Sequence, residues 1–342
     1  MARGRDEVTI KDVARVAGLG LGTVSRVLNN KPHVNEKSRK RVLAAIEQLG
    51  YSPDLVARSM RAGESKTLAF VVRDFTGAIL SALADAVQGE IDPLGFSLFV
   101  ASSYHDPERE LALIRRFKAR RVDGLIIATS SEADPAVLSE FADGSMPLVL
   151  LDRELPEALD AVQVDHAGGA AQAVDHLVSL GHRRIALISG EPDVFPTTER
   201  VRGYREALAR HGIRHRPALC RVGSFSVDFA YQQAFALLGS KQRPTAIVAG
   251  GTAMLPGVLR AAQELELVIP RDVSVVGGAD GDLARYSTPP LTVVTWDYAE
   301  LGRTAGRFLA NRLEDPDGPR QRRLFPTRLV PRQSCAPPPD DP

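Results

Sequence analysis

Cysteine is nearly missing from this 342-residue chain: Cys220 and Cys335 are the only two, far apart and outside any CxxC or Cys/His spacing. That excludes a disulfide framework and a thiolate zinc site. Long apolar runs are also missing. No stretch approaches the ~20 residues that cross a bilayer, and Met1-Ala-Arg-Gly-Arg-Asp-Glu7 lacks the apolar segment of a signal peptide, so a cytoplasmic protein off the membrane is expected. There is no Gly-x-Ser-x-Gly elbow, no HExxH, no Walker loop and no glycine fingerprint after a strand. Asp280-Gly-Asp282 is too sparse for a calcium loop. The seven histidines, His166, His176 and His182 among them, are scattered, which suits core or surface roles. No enzyme, metal site or cofactor is expected.

What is present is a soluble composition with an uneven charge. Apolar residues make up 44% and charged residues 25%, and the length suits two or three domains. Residues 1–63 carry a net charge of +6 and the remainder −5. A basic head on a mildly acidic body is the footprint of a nucleic-acid contact, because neutralising phosphates releases condensed counterions.

The head reads as three short helices. Thr9-Ile-Lys-Asp12 resembles a capping box ahead of Val13, Ala14, Val16 and Ala17, which form an apolar face that ends at Gly18. Thr23 to Asn30 follows with Val24, Val27 and Leu28 on one face and Thr23, Ser25, Arg26 and Asn29 elsewhere. Asn35 caps a third helix from Glu36 to Leu49, with Val42, Leu43, Ile46 and Leu49 at helical spacing before Gly50. Three helices with tight turns suggest a helix-turn-helix unit. Because a helix precedes Gly18-Leu-Gly-Leu-Gly22, this run does not read as a dinucleotide loop.

In order and spacing, Thr9-Ile-Lys-Asp-Val-Ala-Arg-Val-Ala-Gly18, Thr23-Val-Ser-Arg-Val-Leu-Asn29 and Val42-Leu-Ala-Ala-Ile-Glu-Gln-Leu-Gly-Tyr-Ser-Pro53 resemble the head of the lactose-repressor/galactose-repressor (LacI/GalR) family. The resemblance implies a DNA-binding transcription regulator, most often a repressor, acting as a homodimer on a palindromic double-stranded operator, with a tetramer left open. It places the second helix in the major groove, with Leu21, Gly22 and Arg26 at reading positions and Thr23, Ser25 and Asn29 near phosphates or bases. Arg26 suits a bidentate contact to guanine, or else pairs an acid on a solvated face; Leu21 suits a thymine methyl. The family's usual serine cap is Gly20 here.

Ser52-Pro-Asp-Leu-Val-Ala-Arg-Ser-Met-Arg61 reads as a helix of about two turns, too short to hold alone and so formed on pairing or on DNA. By the resemblance it is a hinge whose wedge into the minor groove is Met60, in place of the usual leucine. Asp54 replaces the usual asparagine. The other reading of residues 52–64 is a flexible linker.

From Leu68 onward, strands such as 68–72, 96–100, 125–127, 148–151, 185–188, 246–249 and 273–276 alternate with helix-length segments, the rhythm of parallel sheet. The resemblance extends through Arg121-Val-Asp-Gly124, His176-Leu-Val-Ser-Leu-Gly-His182, Arg200-Val-Arg-Gly-Tyr204 and Thr288-Pro-Pro-Leu291. It implies an all-α head, residues 1–51, a hinge, 52–64, and a two-lobed α/β body like a periplasmic binding protein, 65–342. Lobe crossovers are expected near 165, 295 and 325, with a disordered tail from about 336. A small carbohydrate-like effector is expected between the lobes. The matching positions are Asp152, Arg200 and Phe225, with Asp74, Asp280 and Trp296 nearby. Arg200 can fork onto hydroxyls, a carboxylate or a phosphate, or form an interlobe ion pair. Departures are clear: Gly251-Thr252 replaces a usual Asn-Asp pair, Gly277-Gly-Ala-Asp280 a usual Gly-Phe-Asp-Asp, and Gly77-Ala-Ile-Leu80 an aromatic pair. The ordinary sugar pocket is incomplete, which leaves control by a protein partner as a second reading. A solute-binding protein, which would carry a secretory signal and no such head, is a third.

Overall fold

The computed structural model describes residues 8–28, 32, 34–51, 65–75, 78–155 and 159–339. Asn29, the hinge with Asp54 and Met60, and Gly77 lie outside them. The chain divides into two compact units, Met1–Ser65 and Lys66–Pro342.

In the first unit α1 (Ile10–Ala17), α2 (Leu21–Leu28) and α3 (Glu36–Leu49) enclose Val13, Ala17, Val24, Val27, Val42 and Ala45. Two expected core residues face out instead: Val16 is 39% exposed and Leu43 53%. At about 100° per residue Val13 and Ala17 lie within about 40° of each other and define the inward line of α1, with Val16 about 100° from Ala17, and Leu43 lies about 100° from Val42 and about 160° from Ala45.

The second unit holds two six-stranded sheets. In the first, the order is β11 (Arg322–Phe325), β5 (Asp160–Val164), β4 (Leu148–Leu151), β3 (Gly124–Ile127), β1 (Thr67–Val72), β2 (Ser97–Ser102), all parallel. Side chains of β1 alternate between its faces. Leu68, Phe70 and Val72 pack with α4 (Ala78–Ile91) and α12 (Tyr298–Glu314), while Ala69 and Val71 pack with α5 (Pro107–Ala119) and α6 (Pro135–Ala142). In the second sheet the order is β12 (Arg328–Val330), β10 (Thr292–Thr295), β9 (Ser274–Gly277), β8 (Ala246–Ala249), β6 (Ile185–Ser189), β7 (Cys220–Val222), with only β12 antiparallel. Ile185 and Leu187 face α7 (His166–Ser179) and α8 (Phe195–Arg210); Ala186 and Ile188 face α9 (Val227–Leu238) and α10 (Leu255–Glu264), and the short α11 (Asp282–Tyr286) adds Ala284 to that core. This is the two-lobed α/β architecture read from the sequence.

The chain passes between the sheets after β5, after β10 and after β11. Asp165 N–H donates to Phe325 O (2.8 Å), Thr327 Oγ1 donates to Asp165 O (3.0 Å), and Gln172 bonds Thr327 and Leu329. The first and last passages are therefore stitched to each other.

A buried ion pair fastens α12 to β5. Arg312, 4% exposed, grips Asp160 through Nε (2.8 Å) and Nη2 (2.9 Å), and its guanidinium also donates to the carbonyls of Asp315, Pro316, Gly318 and Pro319. The expected disorder from 336 needs correction at its start. Ala336 N–H donates to Ser274 Oγ (3.1 Å), and its carbonyl accepts from Nε2 of buried His182 (2.9 Å), because a carbonyl can only accept. Residues 340–342 lie outside the described ones.

Candidate functional site

The head is built to present one face of α2. Thr9 Oγ1 (2.7 Å) and N–H (3.0 Å) both donate to the Asp12 carboxylate, which pulls its pKa down to about 2 with Arg15 adding to the effect. The cap fixes where α1 starts, and Gly18, at φ 60°, ends it. The following turn sends Val24 and Val27 into the core. Leu21, Gly22 and Arg26 are left exposed and Thr23 and Ser25 half-buried, so one side of a short helix carries the five. Arg26 Nε donates to the Gly22 carbonyl one turn back (3.2 Å), and no acid pairs with its guanidinium among the described residues. A Cβ at Gly20 or Gly22 would meet nothing within 4 Å, so glycine is not there for space. Gly22→Ala is expected to stabilise α2 by about 0.5–1 kcal/mol, read as a two- to fivefold slowing of hydrogen exchange at its amides.

In the second unit the strand C-termini of both sheets meet at a polar seam. Asp152 follows β4 with a left-handed backbone, φ 54°. Its carboxylate accepts from His166 Nε2 (2.8 and 2.9 Å) and from Val164 N–H (3.2 Å). Burial pushes the Asp152 carboxyl up, but His166, Arg153 and Arg200 outweigh it and hold it below its usual range. Burial, with Arg200 nearby, pushes His166 down, and toward a carboxylate its Nε2–H is the donor. Arg200, in α8, keeps its guanidinium 5.7 Å from the Phe225 ring, and Arg73 lies over that ring at 4.1 Å. Burial lowers both guanidiniums to about 10, and each feels the other or Arg153 as a like charge.

Links across the seam come from both sheets. His105 Nε2 bonds Asp74 (3.1 Å) and its Nδ1 lies 3.4 Å from Glu191, beyond β6; these carboxylates raise the His105 pKa. Glu132, in the loop after β3, accepts from the N–H of Phe195 at the start of α8 (2.9 Å). Burial raises Glu132 to about 7. A raised carboxyl favours this closed arrangement while protonated and opposes it once ionised. Stability of the seam should therefore fall as pH rises from about 4.5 to about 7. Glu132→Gln keeps an acceptor for Phe195 without the charge. The expected outcome is a body melting temperature that declines less between pH 5 and 7 in Glu132→Gln than in wild type.

Residues 9–54 match the family described as bacterial regulatory proteins, lacI family, and residues 174–335 match the periplasmic binding protein-like domain. Among curated relatives, the HTH-type transcriptional regulator DegA of Bacillus subtilis (strain 168) is 31% identical over 97% of this chain and 99% of its own. The chain belongs to the LacI family of bacterial regulators. Another member, the ribose operon repressor of Escherichia coli (strain K12), is 32% identical over 96% of this chain and 99% of its own. Among solved structures, the Lac repressor dimer bound to operator and the anti-inducer ONPF superposes with a TM-score of 0.85 at 30% identity, covering 97% of this chain and 100% of that one.

Within this LacI-family body, Asp152, Arg200, Phe225 and Trp296 gather at the seam, and Asp74 joins them through His105 and Arg73. Asp280 does not. Its carboxylate is held by Arg332 (2.6 Å) and Arg285 (3.1 and 3.2 Å), and its N–H by Tyr298. Sequence reasoning missed Arg73, His105, Glu132, Arg153, His166 and Glu191. Arg73-Asp74 and Asp152-Arg153 each end a strand in a charged pair, which was the available signal.

Proposed function

We propose that this chain is a sequence-specific DNA-binding repressor whose operator affinity is set by a small polar ligand held at the seam between its lobes. The observation that carries it is the union in one chain of a basic three-helix head, with Arg26 exposed on α2, and a two-sheet body whose strand ends converge on half-buried Arg73 and buried Arg153 and Arg200. Such a body separates reader from sensor. A ligand that prefers one lobe arrangement shifts the population toward it, and reciprocity requires DNA to alter ligand affinity by the same factor. The relatives support the repressor and dimer readings: one is named a ribose operon repressor, and the Lac repressor structure is a dimer on operator with an anti-inducer. In a homodimer two α2 helices read half-sites about one helical turn apart. Met60 and Asn29, at the hinge and after α2, complete the proposed DNA face.

The protein works without catalysis and in the cytoplasm, where DNA is; among the described residues no helix is long and apolar enough to cross a membrane. The test is selection from a randomised palindromic DNA library, followed by fluorescence anisotropy at low and raised salt. A palindrome bound with a steep salt dependence supports the reading. Equal binding of every sequence refutes it.

A further inference from the structure

Arg73, Arg153 and Arg200 are packed into the seam, the first two with incomplete partners. Arg153 is 2% exposed; its Nε and Nη1 donate to the carbonyls of Thr129 and Asp152 (both 2.6 Å), yet its buried Nη2 has no hydrogen-bond partner among the described residues. Arg73 Nη1 is likewise buried and unbonded, with the Glu191 carboxylate at 3.8 Å, outside hydrogen-bond reach. The indole N–H of Trp296 is a further buried donor without an acceptor. Trp296 and Arg200 line the same small cavity, at the ends of β6, β8, β9 and β10.

The charges around them point the same way. Asp152 is spent on His166 and the Val164 backbone, and Asp74 and Glu191 both flank His105. Glu132 lies 3.7 Å from Arg153 Nε, but burial pushes its carboxyl up to about 7 and so weakens it as a counter-charge. The guanidiniums of Arg73, Arg153 and Arg200 thus meet carboxylates that are already engaged, and buried N–H groups are left over. A neutral sugar hydroxyl would satisfy an N–H but leave the buried charge uncompensated, and removing an unpaired guanidinium from water costs several kcal/mol. An anion supplies both acceptor and charge, and a carboxylate or phosphate matches the guanidinium fork.

We infer that the effector carries an anionic group, a carboxylate or a phosphate, taken up by Arg73, Arg153 and Arg200; this rests on the seam being the effector site. The cavity beside Arg200 and Trp296 is only about 20 Å³, against several hundred for a bound small molecule. On the other side of Arg200 the Phe225 ring is nested where the Cβ atoms that Gly190 and Gly251 lack would lie 2.0 and 2.6 Å from it. The effector enters as the lobes part and this ring withdraws, exchanging the cation–π contacts of Arg73 and Arg200 for ion pairs. The two glycines are thus what lets the site close on itself.

The test uses full-length protein and the fluorescence of Trp296, the single tryptophan of the chain. The probes are D-gluconate and D-galacturonate, D-ribose 5-phosphate and D-glucose 6-phosphate, and neutral D-glucose, D-galactose and D-ribose. A charged probe should bind about tenfold or more tightly than its neutral counterpart. Binding confined to the first pair identifies a sugar acid, and to the second a sugar phosphate. Arg73→Gln should erase most of that preference and Arg73→Lys retain part of it. Neutral sugars binding as tightly as the anions, or no charged probe binding, overturns the inference. Operator affinity measured on the same sample separates two failures: protein that binds operator but no anion loses this inference alone, and protein that binds neither also loses the function on which it rests.

Discussion

Arg26→Ala should weaken binding to the selected operator by about 5- to 150-fold, the ~1–3 kcal/mol of a bidentate arginine–guanine contact. The structure makes the expectation sharp because α2 offers few alternatives. Gly22 has no side chain, Leu21 is apolar and 46% exposed, and Thr23 and Ser25 are half-buried. Arg26 is tethered by one nitrogen to the Gly22 carbonyl, which aligns the side chain along the helix. The loss should concentrate at one base pair per half-site, with discrimination at that position flattened. Anisotropy titrations against the operator and its single-base variants measure this. Equal weakening on every sequence would instead assign Arg26 to a phosphate, and unchanged affinity would remove it from the interface.

A larger effect on stability is expected from Arg312→Met. The substitution leaves Asp160 with its carboxylate buried and only the Gln321 N–H (2.7 Å) still donating to it, and it strips four backbone carbonyls of their shared donor. Breaking one side of such a pair costs about 3–5 kcal/mol, a large share of the stability of a typical domain. Pairing it with Asp160→Leu removes the stranded charge, so the double variant should recover much of the loss. Urea denaturation followed by circular dichroism gives both numbers. If the single variant loses less than about 1 kcal/mol, water reaches Asp160 and the pair is not a keystone.

The sequence shows the fold more fully than the site, for a physical reason. Strands such as Leu148–Leu151 and Ala246–Ala249 are buried on both faces and therefore apolar throughout, which is visible in a line of letters. The edge pieces are not. β7, β11 and β12 are half-exposed or polar, and β5 begins with Asp160, whose burial makes sense only once Arg312, 152 residues later, is beside it. The same long range hides the seam. Asp152, Arg200 and Phe225 are recognisable by position, but Glu132 meets Phe195 across 63 residues and Asp74 meets His105 across 31. Only the folded chain sets these partners side by side. Asp280 shows the converse: its neighbourhood was legible, and its commitment to Arg285 and Arg332 was not.

The repeated passage of the chain between the two sheets also imposes an order on synthesis. The first lobe takes α12 and its edge strand β11 from residues 298–325, so a ribosome must translate nearly the whole protein before that lobe can close its core. The head, complete by Ser65, has no such wait. A nascent chain therefore carries a folded three-helix head long before it carries a working sensor. A chain cut short before α12 leaves Leu68, Phe70 and Ile126 without the cover of Leu301, Ala305 and Leu309. Truncated products of this kind expose apolar sheet and are expected to aggregate or be degraded, which keeps an unregulated reader off the DNA.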